Sequence, residues 1–209
     1  MSLFTRIMVG LDLESPVDDQ LLAYLPLVVG GFPPPKVFFL HISYELQLPV
    51  RVGERYVREL PSPGLHAKLQ RSLEAKVAAK LDPALYEGEC DVLEGTITRQ
   101  MLQYAEDNHI DLAILGRKNQ PLGSGVATER FLRNTHSSVL YLPENLEGPP
   151  KIQRILLATD FSPYAAYALR QTIKLAQSQE PVAAIDLLHV YDVPTAQAVA
   201  ISREQGNFS

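Results

Sequence analysis

Short apolar runs alternate with amphipathic segments along most of this chain. "RIMVGLD", from Arg6, is an apolar run that stops at Asp12. "FFLHIS", "ECDVLEG", "DLAILG" and "SSVLYLP" are four more short runs rich in strand-forming residues. After its leading Asp111, "DLAILG" is continuously apolar, as a strand buried on both faces should be. Between the runs the period changes to that of a helix. Leu65, Leu69, Leu73, Val77 and Leu81 share one helical face, and so do Ile97, Met101, Tyr104 and Ala105. Thr96 is a candidate cap for the latter helix. "VATERFLRN" is another helix, and Ser15-Pro16 opens the first, with Asp18 and Asp19 at its positive end. The polar stretch Glu45–Pro63 carries no element in this reading. Strands alternating with helices predict a parallel sheet. The expected fold is therefore a three-layer α/β/α sandwich with a five-stranded parallel sheet, Rossmann-like or flavodoxin-like.

The pattern then restarts. "RILLATD", from Arg154, matches "RIMVGLD", from Arg6, at an offset of 148 residues, with Asp160 opposite Asp12. The same offset lays "DLLHVY", with His189, on "FFLHIS", with His41. Ser162-Pro163 repeats Ser15-Pro16, and Ala165, Leu169, Ile173 and Ala176 fall at helical spacing. Two strands in register at a constant offset argue for an internal duplication. The domain reading is one α/β domain over 4–143, a linker over 144–151, and the N-terminal part of a second domain over 152–209. A lone strand–helix–strand unit leaves apolar faces and strand edges uncovered. The reading therefore favours a native chain that continues beyond Ser209.

Composition narrows the function. The chain has 209 residues, 46% hydrophobic and 21% charged, which is ordinary for a soluble globular protein. A net charge of −5 argues against a nucleic-acid partner. The one cysteine, Cys90, forbids an internal disulfide and fits a reducing, cytoplasmic setting. Cys90 itself reads as a small strand residue. The most apolar stretch, 21–32, is interrupted by Pro26 and too short for a bilayer, so no membrane partner is expected. No GxSxG elbow, HExxH pair or Walker loop is present, and no ligand cluster has metal spacing. No catalytic residue is assigned.

Taken in order, "RIMVGLD", "FFLHIS", "VLEGTITRQMLQYAEDNHIDLAILGRK" and "GVATERFLRNTHSSVLYLP" resemble the universal stress protein family. "RILLATDFSPYAAYALRQTIKLAQ" and "IDLLHVYDVP" resemble the start of a second copy. The resemblance implies a five-stranded α/β fold of the adenine nucleotide alpha hydrolase-like kind, in tandem. It also implies a stress-response or sensing role, with or without an adenine nucleotide such as ATP or AMP. It places Asp12 against adenine or ribose, and the backbone of Leu40, His41 and Ile42 against the base. On the residues alone, Asp12 reads equally well as a turn carboxylate, and His41 and His189 as packing or locally bonded side chains.

Family members that bind ATP carry a glycine, two residues, a second glycine, nine residues, then glycine with serine or threonine. Gly116 matches the first glycine, Asn119 stands at the second, Gly125 at the third, and Val126 at the hydroxyl position. The loop is four residues short, although Ser124 stands beside the missing hydroxyl. Glycines and a helix N-terminus cradle phosphate through backbone N–H groups. Two lost donors, at about 1.5–3 kcal/mol each, would weaken binding roughly a hundredfold to ten-thousandfold. "GSG" at 123–125 also reads simply as a turn with a cap. The expectation is a non-catalytic protein with a degenerate adenine-nucleotide site. The alternatives are slow ATP hydrolysis, or a pure interaction protein that pairs through its fifth strand. That strand is the expected route to a homodimer or to pairing between modules.

Overall fold

The structure is a computed structural model that describes residues 3–29, 33–43, 49–52, 55–58, 64–117, 124–144, 146 and 151–191. They fall into two compact units, Met1–Lys151 and Ile152–Ser209.

In the first unit, β1 (Arg6–Gly10), β2 (Lys36–Ser43), β5 (Glu87–Glu94), β6 (Leu112–Arg117) and β7 (Ser138–Pro143) form one sheet in the order β5-β2-β1-β6-β7. All its pairings are parallel. The central strands are apolar on both faces. Ile7, Met8 and Val9 on β1, and Val37, Phe38 and Phe39 on β2, are fully buried. The edge strand β5 places Glu87, Glu89 and Asp91 among its residues, which discourages pairing with a further strand.

The helices are α1 (Val17–Tyr24), α2 (Leu65–Ala78), α3 (Ile97–Asp107) and α4 (Ser124–Asn134). Ion pairs join α1 to Lys76 on α2, through Asp18, and to Lys80 just beyond the end of α2, through Asp19. α3 packs beside α4, and with the sheet they enclose a core of Met8, Phe38, Leu40, Met101, Leu115 and Phe131. Alternation along β1 and β2 sends Met8, Phe38 and Leu40 to this face.

Several local expectations change. The polar stretch after β2 contains a hairpin, β3 (Pro49–Val52) with antiparallel β4 (Arg55–Arg58). Pro49 starts its strand, the one strand position where the missing N–H is tolerated. Leu65 is 39% exposed, whereas Leu73 and Val77 on the same face are buried. The apolar face of α2 thus begins to pack only after its first turns. Thr96 precedes α3 without a capping bond. Ser15 Oγ accepts from the Val17 N–H at 3.3 Å. Most of the linker, at 145 and 147–150, lies outside the described residues.

The second unit holds β8 (Arg154–Ala158), α5 (Pro163–Gln177) and parallel β9 (Ala184–Leu188). Ser162 caps α5 by accepting from the Ala165 N–H at 3.1 Å. The 148-residue offset holds in detail. Arg6 pairs with Lys36, and Arg154 pairs with Ala184. Leu11 N–H donates to Leu40 O at 2.9 Å, and Thr159 N–H to Leu188 O at 2.8 Å. Leu13 and Phe161 both have left-handed backbones, at φ 69° and 61°.

The two units differ in what covers their sheets. Met8 is fully buried, and its counterpart Leu156 is 65% exposed. Met8→Ala should therefore cost about 2–5 kcal/mol, and Leu156→Ala about 0.5 kcal/mol or less. Urea unfolding of the full chain, with one probe in each unit, checks this. A comparable loss at both positions would mean that Leu156 is covered in solution.

Candidate functional site

The chain lays down β1, β2 and β5 outward to one side, then crosses back to place β6 and β7 on the other. Beyond the carboxyl ends of β1 and β6 the connections therefore part in opposite directions and leave a crevice. A cavity of about 280 Å³ opens there. Leu40, Ile42, Ile97, Met101 and Leu115 contribute to its apolar walls. Asp12, Asp18 and Thr128 are its polar side chains, so no basic side chain stands among the described lining residues.

The loop after β1 is held at successive residues. His41 Nδ1 lies 2.9 Å from Leu11 O. Asp12 N–H donates to Asp18 Oδ1 at 3.0 Å. Lys76 Nζ donates to Leu13 O at 3.1 Å and to Asp18 Oδ2 at 2.8 Å. Asp18 is thus a buried carboxylate with a partner on each oxygen. Burial pushes its pKa above the usual carboxylate value, and the Lys76 ammonium pulls it back only in part.

The structure gathers part of the predicted site. Asp12, Leu40, Ile42 and Gly116 line one cavity. The backbone of His41 lies between those of Leu40 and Ile42 on β2, while strand alternation turns its ring to the opposite face, where it meets the Leu11 carbonyl. The Gly116 position carries an unforeseen contact. A Cβ there would stand 2.4 Å from Val17 Cγ1, so the glycine lets α1 lie close against β6. Ser124, Gly125 and Val126 form the start of α4, which begins two residues before the predicted "VATERFLRN". Asn119 lies outside the described residues.

Other lining residues were not anticipated as site residues. Ile97 and Met101 carried only the signal of an apolar helix face. Asp18 carried only that of a helix start, and nothing in the sequence joined it to Lys76. Cys90 is half-buried on β5, and burial pushes its thiol up to about 11, so it is not a reactive thiolate.

A five-stranded parallel sheet with its crevice at the switch point defines an α/β protein of the Rossmann-like class. The model of the universal stress protein family matches residues 151–207. A universal stress protein from Archaeoglobus fulgidus is similar in structure over 98% of this chain and 73% of its own, at 16% identity and a TM-score of 0.67. The hypothetical protein MJ0577 is similar over 69% of this chain and 99% of its own, at 14% identity and a TM-score of 0.52. A universal stress protein from Archaeoglobus fulgidus in complex with dAMP aligns over 66% of this chain and 98% of its own, at 16% identity and a TM-score of 0.44. No curated protein matches. This chain therefore has the fold of universal stress proteins and, in its C-terminal segment, their sequence pattern.

Two outcomes test this geometry. Gly116→Ala should destabilise the chain by about 1–3 kcal/mol through overpacking against Val17, and adding Val17→Ala should restore part of the loss, both read from urea midpoints. The second outcome concerns Asp18, whose folded pKa is raised. Its titration therefore favours folding most below its ordinary value of 3.8, and that contribution is lost as pH rises through the folded value. Relative to Asp18→Asn, wild type should lose stability over that rise. A flat or opposite difference between the two pH profiles would reject the burial argument.

Proposed function

We propose that this chain is a non-catalytic sensing protein of the universal stress type, whose first unit binds the nucleoside end of an adenine nucleotide weakly. The observation that carries this reading is the crevice at the carboxyl rim, with an exposed aspartate at an apolar cavity of about 280 Å³. Small-molecule sites run from about 300 to 1,000 Å³, so the cavity suits a base or nucleoside better than a whole triphosphate. Its apolar walls suit a flat base, and the Asp12 carboxylate suits a ribose hydroxyl or an exocyclic amine as donor. The described lining offers a phosphate chain no cation to offset the cost of stripping its water. The family resemblance points to the same class of ligand, and the shortened loop from Gly116 to Gly125 points to weak retention of its phosphates.

The reading of Asp18 as a structural carboxylate supports the absence of catalysis. Both of its oxygens are already engaged, which leaves it poorly placed to activate water. We read residues 152–209 as the opening strand–helix–strand of a second copy, on the strength of the register that the two units share. The edge position of β7 supports pairing with another module or a second copy through that strand. The cytoplasm is the compartment that the single cysteine favours. Among the described residues no helix is long and apolar enough to cross a membrane.

Thermal unfolding of the full chain with ATP, AMP and adenosine tests the proposal. All three should stabilise the protein, with ATP gaining no more than about tenfold in affinity over adenosine for want of phosphate contacts. A ligand at a hundred times its Kd should add about 2.7 kcal/mol. Asp12→Ala should lower affinity by about tenfold or more, the loss of one hydrogen bond to a charged group. ATP should be recovered intact. No stabilisation by any of the three at millimolar concentration would reject nucleotide binding and leave the interaction protein. Phosphate release that tracks occupancy would replace the sensor with a slow hydrolase.

A further inference from the structure

A buried helix position is normally apolar, and a threonine there normally spends its hydroxyl on a carbonyl of its own helix. Thr128 does neither. It lies on α4 three residues before Phe131, which is fully buried in the core, and it is itself only 9% exposed. It stands on the wall of the crevice with Met8, Leu40, Met101 and Leu115, all buried. Among the described residues its hydroxyl has no hydrogen-bond partner. Among the same residues, the buried side-chain oxygens that lack both a partner and an outlet belong to Gln20 and Gln171. The Thr128 hydroxyl is not of that kind, and the open space beside it is the cavity of about 280 Å³.

The neighbouring contacts set it apart. Thr98 on α3 donates its hydroxyl to Ala127 O at 3.4 Å, which ties α3 to α4 one residue before Thr128. Thr98 thus has the internal partner that Thr128 lacks. The other polar side chains of the wall differ as well. Asp18 has both oxygens engaged, and Asp12 is exposed. A buried hydroxyl left unpaired costs stability. Here it stands where a ligand inside the cavity can complete it.

We infer that Thr128 is a ligand contact that reads the polar edge of the base: its hydroxyl is the hydrogen-bonding group that the buried part of the crevice offers to a ring nitrogen or an exocyclic amine. This rests on the nucleotide reading above. The hydroxyl suits either group, because it can donate to a ring nitrogen or accept from an amine. The apolar neighbours take the faces of the ring. A flat base that fills the apolar part of the cavity brings its edge to Thr128 and leaves the sugar at the rim.

The test uses the full chain as wild type, Thr128→Val and Thr128→Ser, with two ribosides. Adenosine carries the polar edge. Benzimidazole riboside keeps the flat bicyclic shape and the sugar, but its six-membered ring has neither nitrogen nor amine. Two quantities are read: the Kd for each riboside, and the urea midpoint of each protein without ligand. Thr128→Val keeps the branched shape and loses the hydroxyl. It should weaken adenosine about three- to tenfold, the size of one hydrogen bond, and leave benzimidazole riboside unchanged. Thr128→Ser should keep most of the affinity for adenosine. Without ligand, the midpoint of Thr128→Val should equal or exceed that of wild type, because the hydroxyl it removes has no internal partner.

A lower midpoint for Thr128→Val overturns the inference, since it would reveal such a partner. So does an unchanged affinity for adenosine. So does an equal loss for both ribosides, which would place the effect on the sugar or on the shape of the wall. If wild type binds neither riboside, the nucleotide reading falls and takes this inference with it. If wild type binds adenosine and Thr128→Val binds it equally well, the nucleotide reading stands and this inference alone is lost.

Discussion

The order of strands in the sheet is the constraint on which the site depends. β1 lies in the middle, flanked by β2 on one side and β6 on the other. A parallel sheet built outward in both directions from its first strand must have connections that diverge at the centre, and divergence leaves a hollow that no side chain of either strand can close. The apolar centre of the sheet makes that order stable: Ile7, Met8 and Val9 on β1 and Val37, Phe38 and Phe39 on β2 bury apolar side chains on both faces. The hollow at the carboxyl rim follows from the same burial that holds the sheet together.

Much of this was legible in the sequence, and the reason differs between its parts. The five strands and four helices of the first unit were readable because apolar runs and helical faces are local signals. The hairpin at 49–58 was not, because prolines and charges concealed two short strands. Asp12, Leu40, Ile42 and Gly116 line one cavity, since all stand at or beyond strand ends on one rim. His41 was named with its neighbours for its backbone, and the strand period of two turns its ring to the other side. Ile97 and Met101 could be read as core only. An apolar helix face gives no sign of whether it meets the sheet or a cavity beside it.

Gly116 shows why a residue type does not reveal its use. Glycine permits close approach, and the sequence suggested that a phosphate approaches. Among the described atoms it is Val17 Cγ1 that occupies the space, 2.4 Å from where a Cβ would stand. The same lack of a side chain therefore brings α1 against β6, and with α1 come Asp18 and the start of the helix that bounds the crevice. Close packing of helix on strand and an open rim are compatible here because the glycine lies at the end of its strand, where the sheet is already giving way to loops.

The two units carry one pattern with different outcomes. Both keep the aspartate at the end of the first strand, the left-handed residue after it, and the histidine that meets the carbonyl before it. Those shared features fix the path of the backbone but leave the carboxylate's direction open. In the second unit Asp160 accepts from the Ser162 N–H, and hydrogen bonds to the Ser162 hydroxyl and then to that N–H hold its pKa below the usual carboxylate value. In the first unit the N–H of Asp12 is already taken by Asp18, and Asp18 in turn is held by a lysine from another helix. A buried charge is tolerated only with such a partner. The backbone after β1 is thus tied to a lysine on α2 through Asp18, while at the matching helix position of the second unit stands an alanine.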